Sequence, residues 1–144
     1  MTAAAPPAAE GPAALVRRFY ALRAETGDPE ALRAFLAPDV DWAEPEVGAH
    51  MGRLPGAEAV LDMIARAQAA TGGTFLLEVV DTVETRTHCA ALVAWSAERD
   101  GGTVRGRELA VFGVAGGRIV SARFHPEDIS DDRAFWGEAG QGAP

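Results

Sequence analysis

Along the first half of the chain apolar residues return every third or fourth position, and from Thr74 onward every second. The first period predicts a helix over Ala13 to Thr26, with Leu15, Phe19 and Leu22 on one stripe and Arg17, Arg18 and Arg23 mostly off it. Gly27 ends it. Asp28-Pro29 joins an N-cap residue to a proline at the first helical position, so a short second helix is expected over Pro29 to Leu36, stopped by Pro38. Val40 to Glu44 alternates as a strand. Glu46 to Pro55 reads as a loop, punctuated by Gly48, Gly52 and Pro55. A third helix follows from Gly56 to Ala70, with Val60, Leu61, Ile64 and Ala67 on its apolar face.

The second period predicts strands at Thr74–Arg86, His88–Glu98, Thr103–Ala115 and Arg118–His125. Asp100-Gly101-Gly102 and Ala115-Gly116-Gly117 read as hairpin turns, since glycine takes the positive φ such turns need. A last helical turn is expected around Phe135 and Trp136. Helices gathered on one face of a curved antiparallel sheet make an α+β fold. One domain is expected over residues 13–137, between a flexible Ala/Pro-rich tail, 1–12, and a flexible Gly-rich tail, 138–144.

Composition narrows the functions. The 144 residues are 48% hydrophobic and 24% charged, the balance of one globular domain. A net charge of −8 disfavours nucleic acid, whose phosphates need a basic surface. No run approaches the roughly 18 apolar residues of a membrane span, and the N-terminus lacks a signal-peptide pattern; the expectation is a cytoplasmic protein with no membrane partner. Cys89 is the only cysteine, so no internal disulfide or cysteine zinc cluster forms. His50, His88 and His125 show no metal-ligand spacing, and no phosphate- or dinucleotide-binding glycine motif is present. No metal and no cofactor are expected.

The candidate chemistry begins at "DVDWAEPEVG", where alternation sets Val40, Trp42 and Glu44 on one face and ends it with an acid against a proline. Such an acid either turns to water at the strand end or works in a pocket. The same parity collects Cys89, Ala91, Val93 and Trp95, then Gly106, Glu108, Ala110, Phe112 and Val114, then Val120, Ala122 and Phe124. Glu108 is thus a second acid on a mostly apolar face, unless Arg105 or Arg107 holds it in a cross-strand ion pair. Two acids meeting in a dry interior split their pKa values, which supplies an acid and a base from one residue type.

His50 follows in the loop "GAHMG", either as a proton carrier at the pocket mouth or as a solvated histidine. His125 lies beside Pro126, Glu127 and Asp128, where a histidine–carboxylate pair is conceivable, but parity turns it from the Phe124 face. Glu78 and Asp81 fall on opposite faces of their strand, and Asp131-Asp132-Arg133 reads as a solvated helix start. His88, Leu92 and Ala94 share a convex face too apolar for open water, which predicts a homodimer through that face.

The element order, with "RFYALRAETGDPEALRAFLAPDVDWAEPEVG", "AEAVLDMI" and "LAVFGVAGGRIVSARF", resembles the cone-shaped superfamily of nuclear transport factor two. Its enzyme branches include ketosteroid isomerases, SnoaL-like polyketide cyclases, limonene epoxide hydrolases and scytalone dehydratases. The resemblance spans Ala13 to Trp136 and implies an apolar pocket between sheet and helices, and often a dimer. In ketosteroid isomerases a similar segment ends in a carboxylate before proline that serves as general base. By resemblance that position is Glu44, one methylene or about 1.5 Å longer than the Asp of those enzymes. Their oxyanion hole needs a tyrosine on the first helix and an acid on the penultimate strand. On this register those positions are Phe19 and Ala110, and the neighbouring Tyr20 is expected to point elsewhere. SnoaL-like cyclases carry a histidine and an acid on the last strand; here the nearest acids are Glu127 and Asp128, beyond Pro126.

The expected function is cofactor-independent acid–base chemistry on a hydrophobic carbonyl-bearing small molecule: isomerisation, cyclisation or dehydration. Glu44 would take the proton, Glu108 or His50 would return it or support the oxyanion, and Phe19, Trp42, Trp95, Phe112 and Phe124 would shape the binding cavity. A second reading is a ligand-binding or protein-interaction module without catalysis. A third is epoxide hydrolysis, whose Asp–Arg–Asp set in relatives does not stand out in this sequence.

Overall fold

The buried side of the first helix, α1 (Pro12–Glu25), reads Leu15, Val16, Phe19, Tyr20 and Arg23, the i, i+4, i+7 spacing of one helical stripe. In the computed structural model, which describes residues 10–46 and 52–137, this stripe lies on the concave face of a sheet. Pro at the first helical position and the Glu84 carboxylate, which accepts from the Ala13 N–H at 2.8 Å, fix where α1 begins. Asp28 caps the next segment by accepting from the Glu30 N–H. That segment, Pro29–Phe35, is a 3₁₀ helix and not an α-helix, and it buries Leu32 and Phe35.

Among the described residues six strands form one open, curved sheet: β1 (Leu36–Ala43), β2 (Arg53–Pro55), β3 (Leu76–Glu84), β4 (His88–Arg99), β5 (Gly102–Ala115) and β6 (Arg118–Pro126), in the order β2-β1-β6-β5-β4-β3. Helix α2 (Ala57–Ala70) covers β1 and the 3₁₀ segment with Val60, Leu61, Met63 and Ile64. After β6 comes a single turn, α3 (Ile129–Asp132), running into a π-helical turn at Arg133–Gly137. The fold is α+β, as the two hydrophobic periods imply. Asp100 and Gly101, then Gly116 and Gly117, take positive φ at the β4–β5 and β5–β6 hairpins, as two-residue turns require.

Four local expectations change. Residues 53–55, expected in a loop, pair antiparallel with β1 as β2. Pairing of β1 with β6 is parallel and slips between Leu36 and Asp41, where Pro38 has no N–H to offer. In β6 an extra residue at Val120 makes a bulge, so Ile119 faces inward with Ala122 and Phe124, and Val120 does not continue the inward row. A second bulge at Val80 resets β3: Glu78 and Asp81, expected on opposite faces, pair with Ala94 and Leu92 and so share the convex face.

On that outer face Arg123 donates to the Asp41 carboxylate and carbonyl, both at 2.7 Å, and Arg53 also pairs with Asp41. This ladder ties β2, β1 and β6 into the register that aims Trp42 inward.

Candidate functional site

Trp42 is 1% exposed and packs at the centre of an aromatic group, with ring centroids 5.1 Å from Phe124, 6.0 Å from Phe112 and 6.2 Å from Phe19. Two residues on, the chain leaves β1, and Glu44 keeps the inward direction of Trp42. The Trp42 indole Nε1–H donates to Glu44 Oε2 at 2.9 Å, and the Glu44 N–H donates to the Gly52 carbonyl at 2.8 Å. The acid before the proline is therefore half-buried and held by its own strand. It is neither a loop cap nor a water-facing strand end.

Glu108 meets it from β5. It is 8% exposed, its side chain has no hydrogen-bond or ion-pair partner among the described residues, and it stands on the row of Ala110 and Phe112. Arg107, on the opposite face, pairs instead with Glu127 at 2.8 Å. Burial pushes Glu44 up to about 7, opposed by the Trp42 hydrogen bond and by Arg23. Burial pushes Glu108 up to about 8, reinforced by the charge of Glu44. The acid with an indole donor is the one that ionises more readily; the acid without one holds its proton to higher pH.

Three further polar residues join this interior. Tyr20, expected to point elsewhere, is 4% exposed, packs edge-on to Phe112 at 5.9 Å, and is influenced by Glu108 and Glu44; burial holds its pKa well above the usual phenol range. Phe19 is buried too, because α1 turns a broad face to the sheet. Arg23, one turn past Tyr20, is buried rather than off the stripe, and its Nε finds no partner. Asp132, read from sequence as solvated, is 4% exposed with Oδ1 unpaired, and burial pushes it up to about 6. Its position follows from Asp128, which accepts from the Ser130 N–H at 2.9 Å and starts α3, so the turn carries Asp132 inward. The charge of Asp132 acts on both Glu44 and Glu108.

The remaining candidates separate. Trp95 is buried in a second aromatic group with Phe75 and Phe135, at 6.0 and 5.8 Å, against Gly106, where a Cβ would meet the indole at 2.9 Å. A cavity of about 560 Å³ lies along this end of β3–β5 and is lined in part by Leu77, Trp95 and Gly106. A cavity of about 600 Å³ near Leu15 and Phe35 includes none of the interior acids. His125 pairs with Leu109 on the outer face and is exposed; Glu127 and Asp128 are engaged elsewhere, so no histidine–carboxylate pair forms. His88 is exposed and shares Nδ1 with Thr87 Oγ1. His50 lies outside the described residues. Among the described residues no group of three or more His, Cys, Asp or Glu is arranged to hold a metal ion.

The arrangement offers one carboxylate near neutrality, one carboxylic acid, a phenol and a guanidinium inside an aromatic shell. It can take a proton at Glu44 and donate hydrogen bonds from Glu108 and Tyr20.

The model of the SnoaL-like domain matches residues 16–122. An uncharacterised protein of Mycobacterium tuberculosis is 32% identical over 123 residues, covering 85% of this chain and 93% of its own. Bal32a, from a soil-derived mobile gene cassette, superposes with a TM-score of 0.80 at 27% identity, covering 86% of this chain and 95% of its own. A putative SnoaL-like polyketide cyclase from Jannaschia sp. CCS1 shares the fold, with a TM-score of 0.68 at 13% identity over 90% of each chain. Other solved structures of this shape are described as cystatin-like and as nuclear transport factor two-like. The chain belongs to the SnoaL-like domain family, whose cone-shaped fold is shared with enzymes.

Proposed function

We propose that this SnoaL-like protein is a cofactor-independent enzyme that moves a proton on a hydrophobic, carbonyl-bearing small molecule. The observation that carries the reading is that Glu44, half-buried and bonded to Trp42, lies within electrostatic reach of the more deeply buried Glu108. Glu44 removes a proton from the carbon beside the carbonyl. Glu108, protonated, and the Tyr20 hydroxyl donate to the oxygen where negative charge collects, and the proton then returns to carbon or oxygen. Trp42, Phe19, Phe112 and Phe124 form the apolar wall, Trp95 extends it along β4, and His50 is proposed as a proton carrier. Isomerisation, cyclisation and dehydration all share this first step.

The test is solvent deuterium exchange into a panel of hydrophobic enolisable ketones, followed by NMR. The exchange rate should rise as pH passes about 7, where Glu44 loses its proton, and fall as pH passes about 8, where Glu108 loses the proton it donates. Binding without exchange across the whole panel would leave a carrier or interaction module in place of an enzyme.

A second reading draws on Arg23, which the fold sets beside Glu44 and Glu108, an acid–arginine–acid group invisible in the sequence. In epoxide opening a carboxylate takes a proton from water, the water oxygen attacks carbon as the ring carbon–oxygen bond breaks, and a protonated acid donates its proton to the epoxide oxygen. Diol formation from hydrophobic epoxides, with no ketone exchange, would favour it.

We also propose a homodimer through the convex face, where Val83, Ala90, Leu92, Leu109 and Val111 meet in register and Val83 and Leu109 are 71% and 43% exposed. Sedimentation should give a dimer for the wild type and a folded monomer for Leu109→Glu. A wild-type monomer at micromolar concentration contradicts this.

A further inference from the structure

Arginines of this chain fall into three groups. Arg18, Arg33, Arg53, Arg66, Arg99, Arg107 and Arg123 each pair with a carboxylate. Arg17, Arg86, Arg105, Arg118 and Arg133 are exposed or face water in part. Arg23 is neither. It is 9% exposed, its Nε has no partner, and it makes no hydrogen bond or ion pair with a described residue. The guanidinium carbon sits 5.8 Å from the centre of the Phe75 ring, and the charges of Glu44 and Glu108 reach it without a hydrogen bond.

A buried guanidinium nitrogen left without a partner, as Arg23 Nε is, is costly, and an acceptor that reaches it relieves that cost. What completes it has to be singly anionic and planar. The fork of N–H donors matches a carboxylate through two parallel hydrogen bonds. A phosphate would bring more charge than one arginine offsets, into an interior that already holds Glu44, Glu108 and Asp132. The wall next to Arg23 is aromatic: Phe75 meets Trp95 at 6.0 Å and stacks on Phe135 at 5.9 Å.

We infer that Arg23 is the anchor for a carboxylate on the substrate, and that the substrate is a hydrophobic carboxylic acid whose apolar body lies along Phe75, Trp95 and Phe135. Resting on the proposed reading of the site, this makes the substrate a keto acid with its carboxylate remote from the carbon that loses a proton. It also gives Trp95, which stands apart from the Trp42 group, a place in the same site.

The proton balance supplies a signature. The ionisable groups acting on Arg23 are Tyr20 on α1, Glu44 after β1 and Glu108 on β5, and Asp132 on α3 acts on both glutamates. An anion bound at Arg23 raises the proton affinity of Glu44 and Glu108, so binding takes up a proton. Affinity therefore falls as pH rises from about 6 to about 8, through the range where these acids ionise. A neutral isostere has no such dependence.

The experiment is calorimetric titration of the full chain with phenylacetate and hexanoate, beside phenylacetamide and hexanamide. Carboxylates should bind at least about tenfold tighter than the amides at pH 6, weaken toward pH 8 and take up protons, as linkage requires. Arg23→Gln should weaken carboxylate binding about 30-fold and leave the amides unchanged; Arg23→Lys, which keeps the charge and loses the fork, should fall between. The wild-type comparison of acid with amide decides the matter even if a variant misfolds. Equal binding of acids and amides at every pH overturns the inference. Its failure is separable from failure of the enzyme reading. Ketone exchange without carboxylate selectivity removes the anchor alone; carboxylate selectivity with undiminished exchange in Glu44→Gln removes the base alone.

Discussion

Glu44→Gln is expected to lower kcat by about a hundred- to ten-thousandfold, the usual contribution of a positioned general base, with little change in KM. The substitution keeps the size of the side chain and an oxygen for the Trp42 indole, which donates at 2.9 Å in the wild type. It removes only the capacity to take a proton. The thermal midpoint at pH 8 should stay or rise, because an acid whose native pKa lies above its unfolded value costs stability as pH rises through that interval, and glutamine carries no such charge. Retention of activity within about threefold would assign the base elsewhere, since a lost catalytic base is never that mild.

Trp42→Ala has the second large effect, on stability. The ring is 1% exposed and joins Phe19, Phe112 and Phe124 into one group, so its removal should cost about 3–5 kcal/mol in urea unfolding. Trp42→Phe separates packing from chemistry. It keeps most of the apolar volume and deletes the N–H that stabilises ionised Glu44. The acid limb of the rate profile should then move above its wild-type position near 7. An unmoved limb would mean that the indole orients nothing that titrates.

Both predictions rest on features that differ in how plainly the chain displays them. Strand parity found Trp42, Glu44, Glu108, Phe112 and Phe124, because side chains alternate strictly along an unbroken strand. It failed at Val80 and Val120, where one extra residue reverses the alternation and nothing in the side-chain pattern announces it. β2 was illegible because residues 53–55 become a strand only through the neighbour they pair with.

Helix periodicity alone separated Phe19 from Tyr20 too sharply. A helix crossing a concave sheet buries a broad stripe, and Val16, Tyr20 and Arg23 continue it at i, i+4 and i+7. That spacing was present in the sequence; an arginine on it invites the opposite assignment, since charged residues are rarely fully buried. Asp132 left no such trace. Its burial depends on where β6 delivers the chain and on the Asp128 cap, both properties of the assembled fold.

Burial is what fits this interior for proton transfer, because it holds the carboxyls of Glu44 and Glu108 above their ordinary range. The direct measurement is a carbon-13 NMR titration of the side-chain carboxyls in glutamate-labelled protein, with Glu44→Gln and Glu108→Gln to assign the signals. Glu44 should titrate near 7 and Glu108 near 8, with Glu108 moving downward when Glu44→Gln removes the neighbouring charge. Both carboxyls titrating near the ~4.3 of a solvated glutamate would contradict the account at its centre.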